Sequence, residues 1–333
     1  TINDTISSIK PYYDELKGNV DVLIGVYHGG FEYDLESHKK LSETKENIAY
    51  KICNKLGFDL LLTGHQHMEI SDIDLHGTHI VQTPHNGSKF IELNLEFDND
   101  QIQSVTSKLI DVELNPNKEM YDKFLPLEEK VQQWLDTPVG FLDTELQPSA
   151  HLDMALNGSS LANFINQIQL SESGADIACT SFANVIKGFE KNVTVRDIMS
   201  TYPYPNTLVV YEVNRKYLEL ALERCASYFD FKDGEVTISD RFLKPKVEHY
   251  NYDYFTNLNY TFDITKEVGN RVTSIVYNGK ELDNDTTLKL VMNNYRASGA
   301  GGYEFYTECK VVKEILMEMP DIIIDYFKNN TNV

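Results

Sequence analysis

The chain has 333 residues, long for one hydrophobic core and suited to two domains. Hydrophobic residues make up 41% and charged residues 24%, the proportions of an ordinary globular chain. A formal net charge of −21 disfavours binding to nucleic-acid polymers or to anionic membranes, which needs clustered Lys and Arg.

In chain order, residues 3–17 read as an amphipathic helix with Ile6, Ile9, Tyr12 and Leu16 on one side. A strand at 21–27, a glycine-acidic loop, a helix over 42–56 and a buried strand at 59–63 follow. Alternating short strands come next, at 70–75, 79–82, 90–97 and 102–112. This order predicts a mixed sheet with helices outside it. A polar helix with a thin apolar stripe occupies 119–135, and Thr137-Pro138-Val139-Gly140 ends it. Beyond it the pattern predicts helices over 159–169, 194–200 and 215–228. Strands are expected at 175–180, 207–213, 259–264, 271–277 and 287–292, with a last helix over 311–328. The predicted domains are 1–113, a linker helix within 114–140, and 141–333. No apolar run approaches the ~18 residues of a membrane span. Four cysteines (Cys53, Cys179, Cys225, Cys309) lack CxxC spacing, so neither a disulfide framework nor a cysteine-based zinc site is expected. That mildly favours the cytoplasm; the compartment and the oligomeric state stay open.

Leu60-Leu61-Leu62-Thr63-Gly64-His65-Gln66-His67 is an apolar strand that stops at glycine and delivers two histidines. In extended backbone, residues two apart face one side, so both imidazoles could reach one metal or two neighbours. A second strand, Val22 to Tyr27, is followed by His28-Gly29-Gly30. Two strands delivering histidine beside glycine suggest a metal site at a sheet rim. His38, His76, His79, His151 and His249 read as surface or structural. His85, in a turn close in sequence to the site, is left open.

Two loops of the second half stand out: Tyr202-Pro203-Tyr204-Pro205-Asn206, and the glycine-rich segment from Asn293 to Tyr303. Tyr204 and Tyr295 could present flat faces that sandwich a nucleobase, at roughly 1–3 kcal/mol per base. Equally, both rings could pack on the core with hydroxyls at the surface. Arg296 could bind a phosphate or a nucleotide edge, or pair with an acidic residue.

The ordered set GVYHGG, GHQH, linker helix, YPYPNTLVVYEV, HYNYDYF and NNYRASGAGGY resembles the two-domain 5′-nucleotidase family. The likeness is greater to its branch of 2′,3′-cyclic-nucleotide 2′-phosphodiesterase/3′-nucleotidases, and it covers nearly the whole chain. It implies an α/β fold with three parts: a partial αββα metallophosphoesterase sandwich, a linker helix and a mixed α+β C-terminal 5′-nucleotidase domain. It also implies two divalent metal ions, with Mn, Zn or Fe favoured over Mg by histidine-rich ligation. His28 and His65 match ligands of one ion and His67 a ligand of the other. Tyr204 and Tyr295 match the base-stacking pair, and Asn163 falls where relatives place an asparagine near the site.

The resemblance also brings departures. The family's Asp-x-His, Gly-Asp and Asn-His motifs, the last carrying the catalytic histidine, have no counterpart here. They are expected upstream of Thr1, so no catalytic residue is assigned. The chain is expected to be the C-terminal part of a longer enzyme, nearly inactive alone, with apolar surface exposed on residues 1–112. A Gly-Gly-x-Arg is replaced by Thr180-Ser181-Phe182-Ala183-Asn184, and Arg296 is the expected substitute for its arginine. The implied activity is phosphoester hydrolysis of nucleotides by the intact protein, acting on a nucleotide or nucleoside. A 5′-nucleotidase, a nucleotide-sugar hydrolase and a non-catalytic nucleotide-binding fragment are the alternatives.

Overall fold

The structure, a computed structural model, describes residues 3–41, 46–232, 234–244 and 246–330. The chain divides into two compact units, Thr1–Met120 and Tyr121–Val333.

The first unit contains α1 (Thr5–Leu16), β1 (Ile24–Val26), α2 (Ala49–Lys55), β2 (Leu60–Thr63), β3 (Ile70–Leu75), β4 (Thr78–Gln82), β5 (Lys89–Asp98) and β6 (Gln101–Asp111). Helix α3 (Lys118–Leu135) crosses the boundary in sequence. Four strands form one sheet in the order β1-β2-β4-β3. β1, β2 and β4 are parallel, and β3 returns antiparallel to β4. β5 and β6 form a separate hairpin. Apolar residues of α1, α2 and the sheet make a small core around Phe31, Ile52, Phe58, Leu61 and Ile80. Gly25 permits β1 to approach β2 closely, since a Cβ there would lie 2.7 Å from Leu61 Cδ1.

Two expectations for this unit need correction. The strand predicted over 21–27 is shorter and lies at the sheet edge. Ile24 is 48% exposed and Val26 81%, while Leu23 just before them packs in the core. With Phe90, Phe97 and Val112 also exposed, the expected apolar surface on residues 1–112 is present. The helix expected over 42–56 begins at Ala49 instead; residues 42–45 lie outside the described residues. Tertiary capping sets its start, because the Glu32 carboxylate accepts from Tyr50 N at 3.0 Å and Lys51 N at 2.9 Å.

Buried His79 lies 2.8 Å from Ser107 Oγ through Nε2 and 3.4 Å from Asp74 Oδ1 through Nδ1. This has the outline of a nucleophile-base-carboxylate set. Ser107 Oγ, however, already accepts from Asp72 N at 2.6 Å, and both Ser107 and His79 are buried. The group ties β6 to β3 and β4, a structural task as the sequence suggested for His79.

The second unit contains β7 (Pro138–Phe141), α4 (His151–Asn157), α5 (Ser160–Ser173), β8 (Ile177–Thr180), β9 (Asn192–Thr194), α6 (Val195–Thr201), β10 (Leu208–Asn214), α7 (Arg215–Ala226), β11 (Phe229–Lys232), β12 (Glu235–Ile238), β13 (Tyr254–Thr256), β14 (Asn259–Phe262), β15 (Val272–Tyr277), β16 (Lys280–Glu281), β17 (Thr287–Asn293), α8 (Asn294–Ala297), β18 (Lys310–Ile315) and α9 (Met319–Asn329). A five-stranded sheet runs β13-β8-β17-β10-β18. β8 and β17 are parallel, and its other neighbours are antiparallel. Both faces of β10 and β17 are buried, around Leu208, Val210, Leu290 and Met292, with α5 and α7 packed on the sheet. The final helix expected over 311–328 is strand β18 followed by α9. Pairing with the exposed edge of β10 satisfies backbone groups over 310–315, and Pro320 then starts the helix at its first turn.

All four cysteines are free and buried. Burial pushes the Cys53 and Cys225 thiols up to about 12 and that of Cys309 to about 11. Burial thus favours the protonated thiol over the reactive thiolate.

Candidate functional site

Parallel pairing of β1 with β2 places Val26 opposite Leu62, so the residues that follow each strand share one rim. Gly64 N donates to Gly29 O at 3.1 Å and holds the two turns together. The rings of His28 and His65 come to a centroid separation of 5.6 Å, edge to face. Gly29 and Gly30 have a steric reason, since a Cβ on Gly30 would overlap the Gln66 carboxamide and one on Gly29 would overlap the Tyr27 ring; a Cβ on Gly64 would make only ordinary contact with His28 Nδ1, at 3.4 Å.

The GHQH segment is not extended. His65 and His67 have φ of 68° and 58°, in the left-handed region that costs a non-glycine residue energy. The expectation that alternation turns both imidazoles to one side is therefore corrected. Gln66 is the cause: its buried carboxamide accepts from Phe31 N at 2.7 Å and donates to Phe31 O at 2.9 Å. With Gln66 drawn inward, the flanking histidines turn outward on separate courses. His65 Nε2 lies 3.6 Å from Glu46 Oε2. His67 stacks on His85 at 4.8 Å and 23°. Sequence reasoning missed Glu46 and left His85 open. His85 reaches this rim because β4 is parallel to β2 and pairs Gln82 with Thr63.

The donor set is mixed. Two imidazoles, a carboxylate and a stacked histidine pair gather along the rim. Among the described residues, though, no three His, Cys, Asp or Glu side chains are placed to hold a metal ion. The residues present do not by themselves make a two-metal centre.

In the second unit, β10 and β17 run antiparallel with Leu208 opposite Asn293. The segment before β10 and the segment after β17 therefore leave from the same end of the sheet. The first carries Tyr204 and the second Tyr295. Asn294 N donates to Thr207 O at 2.9 Å, tying the two segments. Tyr204 is 42% exposed, with burial of the remainder raising its phenol pKa, and Tyr295 is half-buried.

The other two residues expected at this site have different surroundings. Asn163 is exposed on α5, where its Oδ1 accepts from Thr256 Oγ1 at 3.2 Å, at the contact with β13. Arg296 is 1% exposed. Its Nε donates to Asp253 Oδ1 at 3.1 Å and lies 2.8 Å from Oδ2, while Nη1 donates to Ala300 O at 2.6 Å and Nη2 to Tyr250 O at 2.9 Å. A guanidinium so enclosed cannot replace the phosphate-binding arginine, and that expectation is corrected. Tyr250, half-buried with Lys246 Nζ 5.5 Å from its ring centroid, is a further aromatic beside this loop. It lies in the motif HYNYDYF, of which the sequence reading singled out no tyrosine.

Residues 138–308 match the family described as 5′-nucleotidase, C-terminal domain, just over half of the 333 residues. The chain belongs to the 5′-nucleotidase family. A Staphylococcus aureus chain assigned as a 5′-nucleotidase, solved in complex with alpha-ketoglutarate, superposes with a TM-score of 0.89 at 32% identity. That match covers 99% of this chain and 66% of the other. The trifunctional nucleotide phosphoesterase of Bacillus subtilis is 24% identical over 321 residues, 91% of this chain and 20% of that protein. The 2′,3′-cyclic-nucleotide 2′-phosphodiesterase/3′-nucleotidase of Salmonella typhimurium is 23% identical over 363 residues, 90% of this chain and 54% of that protein. The chain thus spans from a fifth to about half of these curated relatives. As a 5′-nucleotidase family member it has the expected fold class, part of a metallophosphoesterase sandwich and a C-terminal nucleotidase domain.

Proposed function

We propose that the intact protein hydrolyses phosphoesters of nucleotides, 2′,3′-cyclic nucleotides first among them. This chain supplies the domain that holds the base and one rim of histidines. The observation that carries the proposal is the antiparallel β10–β17 pair, which brings the Tyr204 and Tyr295 segments to one sheet end within the family-matched residues. Aromatic faces stack on any base, so selection at these rings is for a base rather than for one kind of base. The relatives named above as nucleotide phosphoesterase and cyclic-nucleotide phosphodiesterase support the same substrate class.

His28, His65 and His67 are proposed as three ligands of a centre of two divalent ions, with Mn, Zn or Fe favoured over Mg by imidazole donors. The other ligands, and the residue that assists the leaving group, are to come from outside these 333 residues. The domain boundaries 1–113, 114–140 and 141–333 belong to this proposal.

Two measurements test it. In the full-length protein, His65→Ala and His67→Ala should each lower hydrolysis of 2′,3′-cyclic AMP by at least about 100-fold. Full activity in both variants would end the metal proposal. Turnover of AMP in preference to the cyclic ester would move the assignment to a 5′-nucleotidase. For the 333-residue chain, calorimetric titration with adenosine without metal should show binding that weakens in Tyr204→Ala and Tyr295→Ala. Tyr250→Ala serves as a third arm, and unchanged binding in the first two variants would remove those rings from the site.

A further inference from the structure

Arg296 has the largest side chain among the fully buried described residues, and it joins two stretches of chain. Its backbone N–H donates to Asn293 Oδ1 at 2.8 Å, at the end of β17. The guanidinium reaches Tyr250 O and Ala300 O and is paired with Asp253. Its Cζ lies 3.9 Å from the centroid of the Tyr303 ring and 5.9 Å from that of Tyr295. The glycine loop is shaped to this group. Gly301 has φ of +76°, and a Cβ there would lie 2.6 Å from Arg296 Nη1 and overlap the Asn251 carboxamide. Arg224, from α7, holds the same loop by donating to Gly301 O at 2.9 Å.

A buried ion pair is a poor device for stability, because desolvation offsets the attraction between the charges. Its best-attested use is to fix one arrangement of neighbouring elements. Here the elements are the segment 250–253 and the loop 293–303. A planar fork with fixed donor directions suits that task better than a lysine ammonium.

We propose that Arg296, anchored by Asp253, is a positioning residue that holds the Tyr295 ring in place for an incoming base. The inference rests on the reading of Tyr295 as a base-stacking ring. A ring already held loses less freedom on binding, so the clasp should appear as affinity.

The test uses the 333-residue chain with 3-fluorotyrosine at position 295, and at position 326 in a separate control sample, read by fluorine NMR. The wild type should give one sharp resonance at each position. Arg296→Met and Asp253→Asn should broaden or split the resonance at 295 and leave that at 326 unchanged. Adenosine affinity should fall by about tenfold or more. Arg296→Lys keeps the charge but cannot span both carbonyls, so it should also disturb position 295; it serves where Arg296→Met fails to fold. An unchanged resonance at 295 in a folded variant would overturn the proposal, as would equal disturbance at 326. If the wild type binds no adenosine but the variants loosen position 295, the clasp stands and the base-site reading falls.

Discussion

His249 is a residue whose protonation is tied to folding. Its ring stacks on His151 at 4.0 Å and its Nδ1 lies 2.7 Å from the Tyr228 hydroxyl. Burial, and secondarily the neighbouring His151, lowers its pKa to about 4 from the ordinary 6.5. The unfolded chain therefore binds more protons than the folded one between these values, so stability rises with pH across that window. The contribution is present above pH 6.5 and is lost as pH falls toward 4. The full shift would be worth about 3 kcal/mol, and partial exposure of the ring reduces this to about 2 kcal/mol. Urea unfolding at pH 7.5 and 4.5 should show that loss in the wild type, with a smaller pH dependence in His249→Gln. Neither the stack nor the shift was readable from sequence, where His151 and His249 stand almost a hundred residues apart. By contrast, the convergence of His28 and His65 was readable, because two apolar strands each followed by histidine beside glycine point to one sheet rim. The direction of each ring was not, since it depends on Gln66 bonding to Phe31 across 35 residues.

At the scale of elements, periodicity located most helices and strands of the second unit. Helix α6 carries its own start signal: Thr194 Oγ1 accepts from Asp197 N, and the Asp197 carboxylate accepts from Thr194 N at 2.8 Å. Thr194→Ala should cost about 1 kcal/mol in chemical denaturation, and Thr194→Ser much less. Strand β18 was misread as helix because Lys310 to Ile315 has no alternation a sequence pattern could use, and its exposed residues give no core stripe. The unpaired side of β10 made it a strand. Strands β7, β9, β11, β12, β13 and β16, of two to four residues each, were not located from sequence either.

For the whole molecule, each unit has its own core. That of the second contains no residue before Leu135, and that of the first none beyond Ile80. The fragment 121–333 should therefore fold alone, giving one cooperative thermal transition and dispersed amide resonances. A molten spectrum from that fragment would show that the second unit depends on the first. The amino-acid sequence alone determined the fold class, the two histidine-bearing turns and the aromatic loops, because strand-glycine punctuation and ordered motifs are local features. Tertiary structure alone decided that Arg296 is an internal clasp, that GHQH bends rather than extends, and that Glu46 and His85 join the rim. Those outcomes depend on which distant atoms satisfy a buried guanidinium or carboxamide, and such partners are chosen by packing rather than by neighbours along the chain.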